Sequence, residues 1–451
     1  MKIIVNIFFF LTISNLVSFG QPLKSIAPND SRIHLSGTKY SKISEEMIEF
    51  RRHSDSVLAL PITESLFNAE KAKTTSGIVI SFISESPEIV LHFRKLPGTQ
   101  RTGSFGIKQN GEFTGSFKLR YNADTLIAFT VEAVDTGETL FEISLPTWNN
   151  LAFTGLEIEE GTTLKNFTPE SKKIYVAYGN SITHGVGQYG THETYAYKVA
   201  EHFNWELYNV AVGGAKTSSA IAAMLRDDFP EIDYMTILIG FNDYNGEGVD
   251  TAKYKKRYSE VLNFIRSKHH YTKIFCIAQT YTKQDTSVRT GIPIEDFRKV
   301  VYNIVKSRQS RGDKNIYLIE GNRITDESNL KDIVHFSVEG AAAFADSLIS
   351  VMETFLDSNV TGINNEKIGT NKTQGKSKIK FSVYPNPANG YINISSNTPA
   401  KEIVVYNLRG EIVKSFNNTS KIKLVGLSKG IYFLRYTNLK GLFKTEKIIL
   451  N

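Results

Sequence analysis

The chain has 451 residues, 41% of them hydrophobic and 22% charged, with a net charge of +7. That is apolar material for sizeable cores and length for about three domains, which excludes a disordered protein. The charge is uneven: residues 357–451 hold 13 Lys and 2 Arg against 5 Asp and Glu, a net +10, which leaves −3 for everything before them. The basic character belongs to the tail, and with no recognition motif beside it nucleic acid is not an expected partner.

At the start, Lys2 is followed by an apolar run over 3–17 and then by Ser18-Phe19-Gly20. This reads as a signal peptide over 1–20, cleaved after Gly20. Its apolar core is shorter than the ~20 residues a membrane span needs, and no other stretch is long enough. Cys276 is the only cysteine and lies in an apolar run, 274–278, that reads as a strand. An exported chain with one cysteine forms no internal disulfide, so its stability must come from its cores. No cysteine stands near the cleavage site, which argues against a lipoprotein.

Residues 21–170 read as β-structure, with short β-rich runs at 76–82, 88–94, 115–121, 125–134 and 139–145 separated by Gly, Asn, Asp or Pro. Such spacing predicts a β-sandwich of the jelly-roll kind. Trp148 and the neighbouring aromatics are assigned to core packing rather than to sugar stacking. From 171 to 356 the pattern changes to alternation: strands at 174–178, 206–212, 234–239, 273–279 and 315–320, with helices near 193–203, 218–227, 252–268, 294–308 and 338–355. Strand–helix alternation predicts a parallel sheet covered on both faces, a flavodoxin-like three-layer α/β/α domain with strand order 2-1-3-4-5. Ligands then sit at the carboxyl ends of strands 1 and 3. Residues 357–380, rich in Asn, Gly, Lys, Ser and Thr, read as a linker. Beyond it, 381–451 returns to β-structure, with strands at 391–395, 402–406, 431–436 and 444–450 predicting a small β-sandwich domain.

The chemistry concentrates in four segments of the middle domain. Ser181 follows the first strand within Gly179-Asn180-Ser181-Ile182-Thr183-His184-Gly185, Gly213-Gly214 follows the second, and Gly240-Phe241-Asn242-Asp243 the third; Asp332-Ile333-Val334-His335 precedes the last helix. All four leave the same edge of a parallel sheet and can converge at its switch point. A serine at a strand end is also a common helix cap, so its company decides the matter. Serine is a weak nucleophile until a histidine takes its proton, and the histidine needs a carboxylate to hold its tautomer. A tetrahedral intermediate needs donors aimed at its oxyanion, which a glycine amide and an asparagine side chain supply; losing one typically costs about 3–4 kcal/mol of transition-state stabilisation.

These segments resemble the blocks of the SGNH, or GDSL-like, hydrolase family: Gly179, Ser181 and Ile182 in the first, Asn209 and Gly214 in the second, Gly240, Asn242 and Asp243 in the third, and Asp332 with His335 in the last. The resemblance implies Ser181 as nucleophile, His335 as base and Asp332 as its orienter, with an oxyanion hole made by the Ser181 amide, the Gly214 amide and the Asn242 side chain. It implies no cofactor, and no metal-ligand set is present in the four blocks. The chain departs from the family pattern at Asn180, where Asp is usual, and at Phe336, where Pro is frequent. Since Asn keeps hydrogen-bonding capacity without charge, retuning is expected rather than loss of activity.

Other features weigh less. Gly185-Val186-Gly187-Gln188-Tyr189-Gly190 spells a dinucleotide fingerprint, but it starts beyond its strand and lacks the ribose-binding acid, so it is rejected. His269-His270 reads as a solvated pair at a helix end. His184 and His192 lack partners at metal-ligand spacing and are expected to border the pocket.

The β-rich region ahead of the hydrolase is similar to the jelly-roll accessory domain of many SGNH esterases, a diffuse likeness starting at Thr75-Ser76-Gly77-Ile78. The tail resembles the type A sorting domain of type IX secretion, through Tyr384-Pro385-Asn386-Pro387, Gly390, Val405-Tyr406-Asn407, Gly410 and Gly430-Ile431-Tyr432. That resemblance implies the type IX export machinery as a partner and a secreted or cell-surface location. The combined expectation is a secreted serine esterase removing acyl groups, acetyl first among them, from a carbohydrate, its substrate an acylated small molecule or polysaccharide. A lipase or general carboxylesterase, an acyltransferase, and an inert carbohydrate-binding protein remain the alternatives.

Overall fold

The computed structural model describes residues 22–358, 381–396, 398–407, 412–417, 419–438 and 443–451. The expected signal peptide, the expected linker beyond Ser358 and Gly410 lie outside the described residues. The chain divides into two compact units, Met1–Ile363 and Asn364–Asn451.

In the larger unit, five parallel strands form one sheet: β1 (Lys173–Gly179), β2 (Trp205–Asn209), β3 (Tyr234–Leu238), β4 (Lys273–Ala278) and β5 (Ile316–Glu320). Their order is β2-β1-β3-β4-β5, the flavodoxin-like order expected. The helices are α1 (Ser181–His184), α2 (Tyr195–Phe203), α3 (Ser219–Asp228), α4 (Thr251–Arg266), α5 (Ile294–Ser310) and α6 (Val338–Ser358). Apolar residues at helical spacing put α2 and α6 over one face, where Val199, Phe344 and Leu348 meet Tyr175 and Phe275. On the other face α3, α4 and α5 present Leu225, Leu262 and Val301 to Val176, Ile237 and Cys276. Both faces of the strands are covered, so they read as apolar runs without alternation. Cys276 is fully buried in β4, and burial pushes its thiol up to about 12. His269 is not solvated as its position suggested: it is 3% exposed and bonds through Nε2 to the Leu225 carbonyl at 2.9 Å.

Ahead of this sheet stand two six-stranded antiparallel sheets, a β-sandwich. Between them Phe82, Phe93, Phe105, Phe141 and Phe153 are all buried. The longest strand, Leu151–Glu159, pairs with Leu23–Ile26, Ile48–Glu49 and Glu88–Lys95. The sequence reading passed over this strand and over Gly103–Gln109. It also passed over three short helices, Asp55–Leu58, Ile62–Ser65 and Ala69–Ala72. From that segment Val57, Phe67 and Ala72 enter the core of the parallel-sheet domain beside Val210, Met224 and Leu225, so the β-sandwich and that domain share apolar packing.

The smaller unit is a second β-sandwich. Its three-stranded sheet runs Phe381–Tyr384, Tyr391–Ser396, Lys421–Lys423, and its four-stranded sheet Ile412–Phe416, Ala400–Tyr406, Gly430–Asn438, Phe443–Leu450. Alternation puts Ile392, Ile403, Val405, Leu434 and Ile448 inside. Asn386 anchors its turn to the last strand, accepting from the Ile449 amide at 2.9 Å and donating to the Lys447 carbonyl at 2.7 Å.

Candidate active site

Ser181 stands at the first position of α1, immediately beyond β1. Asn180 caps that helix, its Oδ1 accepting from the Ile182 amide at 3.1 Å, which is the work an aspartate would do there without the charge. His335 Nε2 lies 2.8 Å from Ser181 Oγ, and His335 Nδ1 lies 2.8 Å from Asp332 Oδ2. The loop carrying them is fixed from within: Asp332 Oδ1 accepts from the amides of Val334 and His335 at 2.9 and 2.8 Å. Burial alone would raise the Asp332 carboxyl, but those two amides and the His335 ring together hold it below the ordinary carboxylate range. The structure therefore brings Ser181, His335 and Asp332 into one hydrogen-bonded chain across 154 residues of sequence.

Of the expected oxyanion donors, the amides of Ser181 and Gly214 donate to no acceptor among the described residues. Asn242 sits at the start of a π-helical turn, Asn242–Glu247, and gives one amide proton to the Ala215 carbonyl at 2.9 Å. Its other proton meets no acceptor among the described residues. Asp243, fully buried, accepts from the Thr217 amide and hydroxyl at 2.8 and 2.9 Å and pairs with Arg257 at 2.9 Å. It thereby joins the loop after β2 to the turn after β3. Gly240 holds φ +124°, and a Cβ there would come within 2.4 Å of Tyr254 Oη and Gln279 Nε2, so only glycine fits that corner.

The β-sandwich supplies the layer behind these groups. His184, completely buried, accepts the Gly213 amide proton at Nδ1 over 2.9 Å. Its proton is therefore on Nε2, facing Thr74 Oγ1 at 2.8 Å and the Thr147 carbonyl at 3.0 Å. Burial, with Arg52 nearby, holds the ring neutral, well below its ordinary pKa. Trp148 stacks on His184 with centroids 4.0 Å apart and donates its indole N–H to the Gly185 carbonyl at 3.0 Å. Gly213 must lack a side chain because its Cβ would fall 2.0 Å from that indole. Arg52, 3% exposed, donates to the Thr74, Asn209 and Ala211 carbonyls. Asn209 Nδ2 donates to Ser76 Oγ and to the Thr183 carbonyl. So the residues 75–78, read as a strand start, are the seam between the two parts, and Trp148 packs against His184, Gly185 and Gly213 rather than within the sandwich.

The glycine-rich loop after α1 has a structural use as well. Gln188 Nε2 donates to the Phe336 carbonyl at 2.9 Å, and a Cβ on Gly187 would strike that same oxygen. The loop clasps the segment next to His335. Phe336, where proline was expected, is 1% exposed and packs on Phe344. His192 packs away from the triad, beside Ser144 and Phe113. Among the described residues there is no cluster of three His, Cys, Asp or Glu able to hold a metal ion.

This fold and this constellation define a class. Residues 177–343 match the GDSL-like lipase/acylhydrolase family, and residues 382–451 match the secretion system C-terminal sorting domain. The middle of the chain is thus a GDSL-like hydrolase domain, and the tail marks the protein for export to the outer membrane or cell surface.

Among particular proteins, a salicylyl-acyltransferase from a tetracycline biosynthetic pathway superposes with a TM-score of 0.64 at 22% identity, covering 74% of this chain and 97% of that one. A GDSL-like lipase of Bacteroides ovatus gives 0.59 at 17% identity, covering 74% and 98%. An acetyl xylan esterase of Butyrivibrio proteoclasticus gives 0.51 at 14% identity, covering 75% and 99%. At these identities the likeness is one of fold. In sequence, beta-agarase D of Zobellia galactanivorans is 36% identical over 87 residues, 19% of this chain and 18% of that protein, so the chain matches less than a fifth of that relative.

Proposed function

We propose that the protein is an exported serine esterase that hydrolyses acetyl esters carried on carbohydrate, with Ser181, His335 and Asp332 as its catalytic residues. The observation that carries this reading is the Ser181–His335–Asp332 hydrogen-bond chain beside two uncommitted amides. His335 Nε2 takes the proton of Ser181 Oγ as that oxygen attacks the acyl carbon. The oxyanion accepts from the Ser181 and Gly214 amides and from the second amide proton of Asn242. Collapse expels the sugar alkoxide, which takes its proton from His335, and water then repeats the sequence on the acyl-enzyme. Asp332, held ionised, keeps the Nδ1 proton of His335 in place and offsets the charge of the imidazolium.

The carbohydrate preference is supported by the shared fold of the acetyl xylan esterase, the acetyl preference by the same likeness. The test is acetate release from acetylated xylan and from a small acetyl ester. Ser181→Ala and His335→Ala are each expected to lower kcat by about 10⁴ or more while leaving the thermal unfolding unchanged, because nucleophile and base act as a unit. Near wild-type turnover by Ser181→Ala would end this reading. Because Ser181 is activated by a base, exhaustive chelation is expected to leave turnover intact; loss restored by one divalent ion would count against it.

A second reading, acyl transfer to an alcohol, is favoured by the higher TM-score with the acyltransferase. It uses the same acyl-enzyme and differs only in the final acceptor. Product analysis with a sugar acceptor present separates the two, since transfer yields a new ester where hydrolysis yields free acid.

A further inference from the structure

Two cations from the β-sandwich part stand at the oxyanion side of the site without an ionic partner. Lys71 belongs to the short helix Ala69–Ala72, and its Nζ lies 3.5 Å from where a Cβ of Gly214 would be. The Arg101 guanidinium lies 4.0 Å over the ring of Trp148, the same indole whose edge closes on Gly213. The two segments abut, since Glu70 Oε2 lies 2.4 Å from the Cβ position of Gly98. Glu70, next to Lys71 in the chain, is taken up by Lys73 at 2.7 Å. No salt bridge or side-chain hydrogen bond engages either cation among the described residues, although the chain before residue 357 is net acidic.

Their backbones explain their placement but not their charge. The Lys71 carbonyl receives Thr74 Oγ1, and the Arg101 carbonyl receives Asn149 Nδ2. Neither bond needs a cationic side chain; Lys71 Nζ reaches the Gly214 position, and the Arg101 guanidinium rests on the Trp148 ring whose edge closes on Gly213. Partial burial lowers the Arg101 pKa below its ordinary value, a cost that an anion beside it would offset.

We propose that Lys71 and Arg101 form a subsite for an anionic group of the substrate, a carboxylate carried next to the scissile ester. This rests on the esterase reading and narrows it: the preferred substrate is an acylated acidic saccharide, or a saccharide ester whose acyl group is itself a carboxylic acid. The two sources present the same chemistry to the two cations, and the test tells them apart.

Three esters of one sugar scaffold are compared with the purified full-length protein: acetylated methyl glucoside, acetylated methyl glucuronide and the hemisuccinate of methyl glucoside. At low salt, kcat/KM is expected to be about tenfold higher for one charged ester than for the neutral one, the size of one charge-assisted contact. The charged ester that is preferred shows whether the carboxylate belongs to the sugar or to the acyl chain. Raising sodium chloride toward ~1 M, where the Debye length is about 3 Å, should shrink that preference.

Lys71→Met with Arg101→Gln should abolish the preference while leaving turnover of the neutral ester unchanged, and Lys71→Glu should invert it. Equal rates on all three esters would overturn the subsite alone. An equal loss on neutral and charged esters in the double variant would overturn it too, making the cations part of the oxyanion machinery. Hydrolysis of none of the three would overturn the carbohydrate reading, and the subsite with it.

Discussion

At the scale of single residues, the site depends on a histidine that never meets substrate. His184 fixes the peptide before Gly214 by accepting the Gly213 amide proton, and Trp148 pins its ring. A methyl group there would free that peptide to rotate, so His184→Ala is expected to lower kcat by about 10²-fold with KM little changed, the usual consequence of a small misplacement near the chemistry. Steady-state kinetics on a small acetyl ester measures this, and an effect confined to KM would contradict it. Ser181, Asn242, Asp332 and His335 were legible in the sequence because each lies in a short block whose spacing is local. The placing of His184 and Trp148 was not, because their partners lie 29 and 37 residues away and no local pattern records the contact. Trp148 was read as a core residue; it is buried, but the surface it packs against belongs to the loops after β1 and β2.

At the scale of elements, the π-helical turn after β3 is held by charge. Glu247 at its end bonds Lys253 and Arg257, each at 2.8 Å, with Lys216 at 3.5 Å. Partial burial would raise its carboxyl, but the bonds from Arg257 and Lys253 bring it down to about 2 against an ordinary 4.5. A depressed folded-state pKa means stabilisation present above 4.5 and lost as pH falls toward 2. Melting temperatures of the wild type and Glu247→Gln should therefore differ at neutral pH and converge across that window. A difference that persists at the acid end would exclude the ion pair as its cause.

Among the strands, alternation made Glu88–Lys95 and Leu126–Glu132 legible. Leu151–Glu159 escaped because a bulge between Phe153 and Gly155 breaks its register, and Gly103–Gln109 because it is buried on both faces and lacks a polar period. The short helix Ile62–Ser65 and its neighbours run for four residues each, too few to show a helical period. Yet Phe67 beside them is 2% exposed in the hydrolase core. Phe67→Ala should cost about 3–5 kcal/mol, the usual range for emptying a buried aromatic site, as read by denaturant unfolding.

At the scale of the whole molecule, the proposed catalytic residues all lie before residue 363, the boundary between the two compact units. A chain ending there should hydrolyse soluble esters like the full-length protein, because the last helix closes at Ser358. In the native host the same chain should stay in the periplasm, lacking the sorting domain. Fractionation of cells expressing either form decides this, and normal export of the shortened chain would make the tail something other than an address.

The seam between the β-sandwich and the hydrolase also sets an order of events in folding. Arg52 finds its carbonyl partners in Asn209 and Ala211, 157 and 159 residues further along the chain. Until β2 is in place, its Nε and Nη2 find Thr74 and the Lys71 carbonyl but its Nη1 has only water, and the sandwich cannot close over it without burying an unsatisfied charged donor. The N-terminal half therefore waits for the hydrolase half, and the two should melt together in one calorimetric transition. A nascent chain with half its length exposed is an open substrate for proteases and for aggregation, which gives the cell a reason to keep it in the care of holding chaperones until the whole unit can condense.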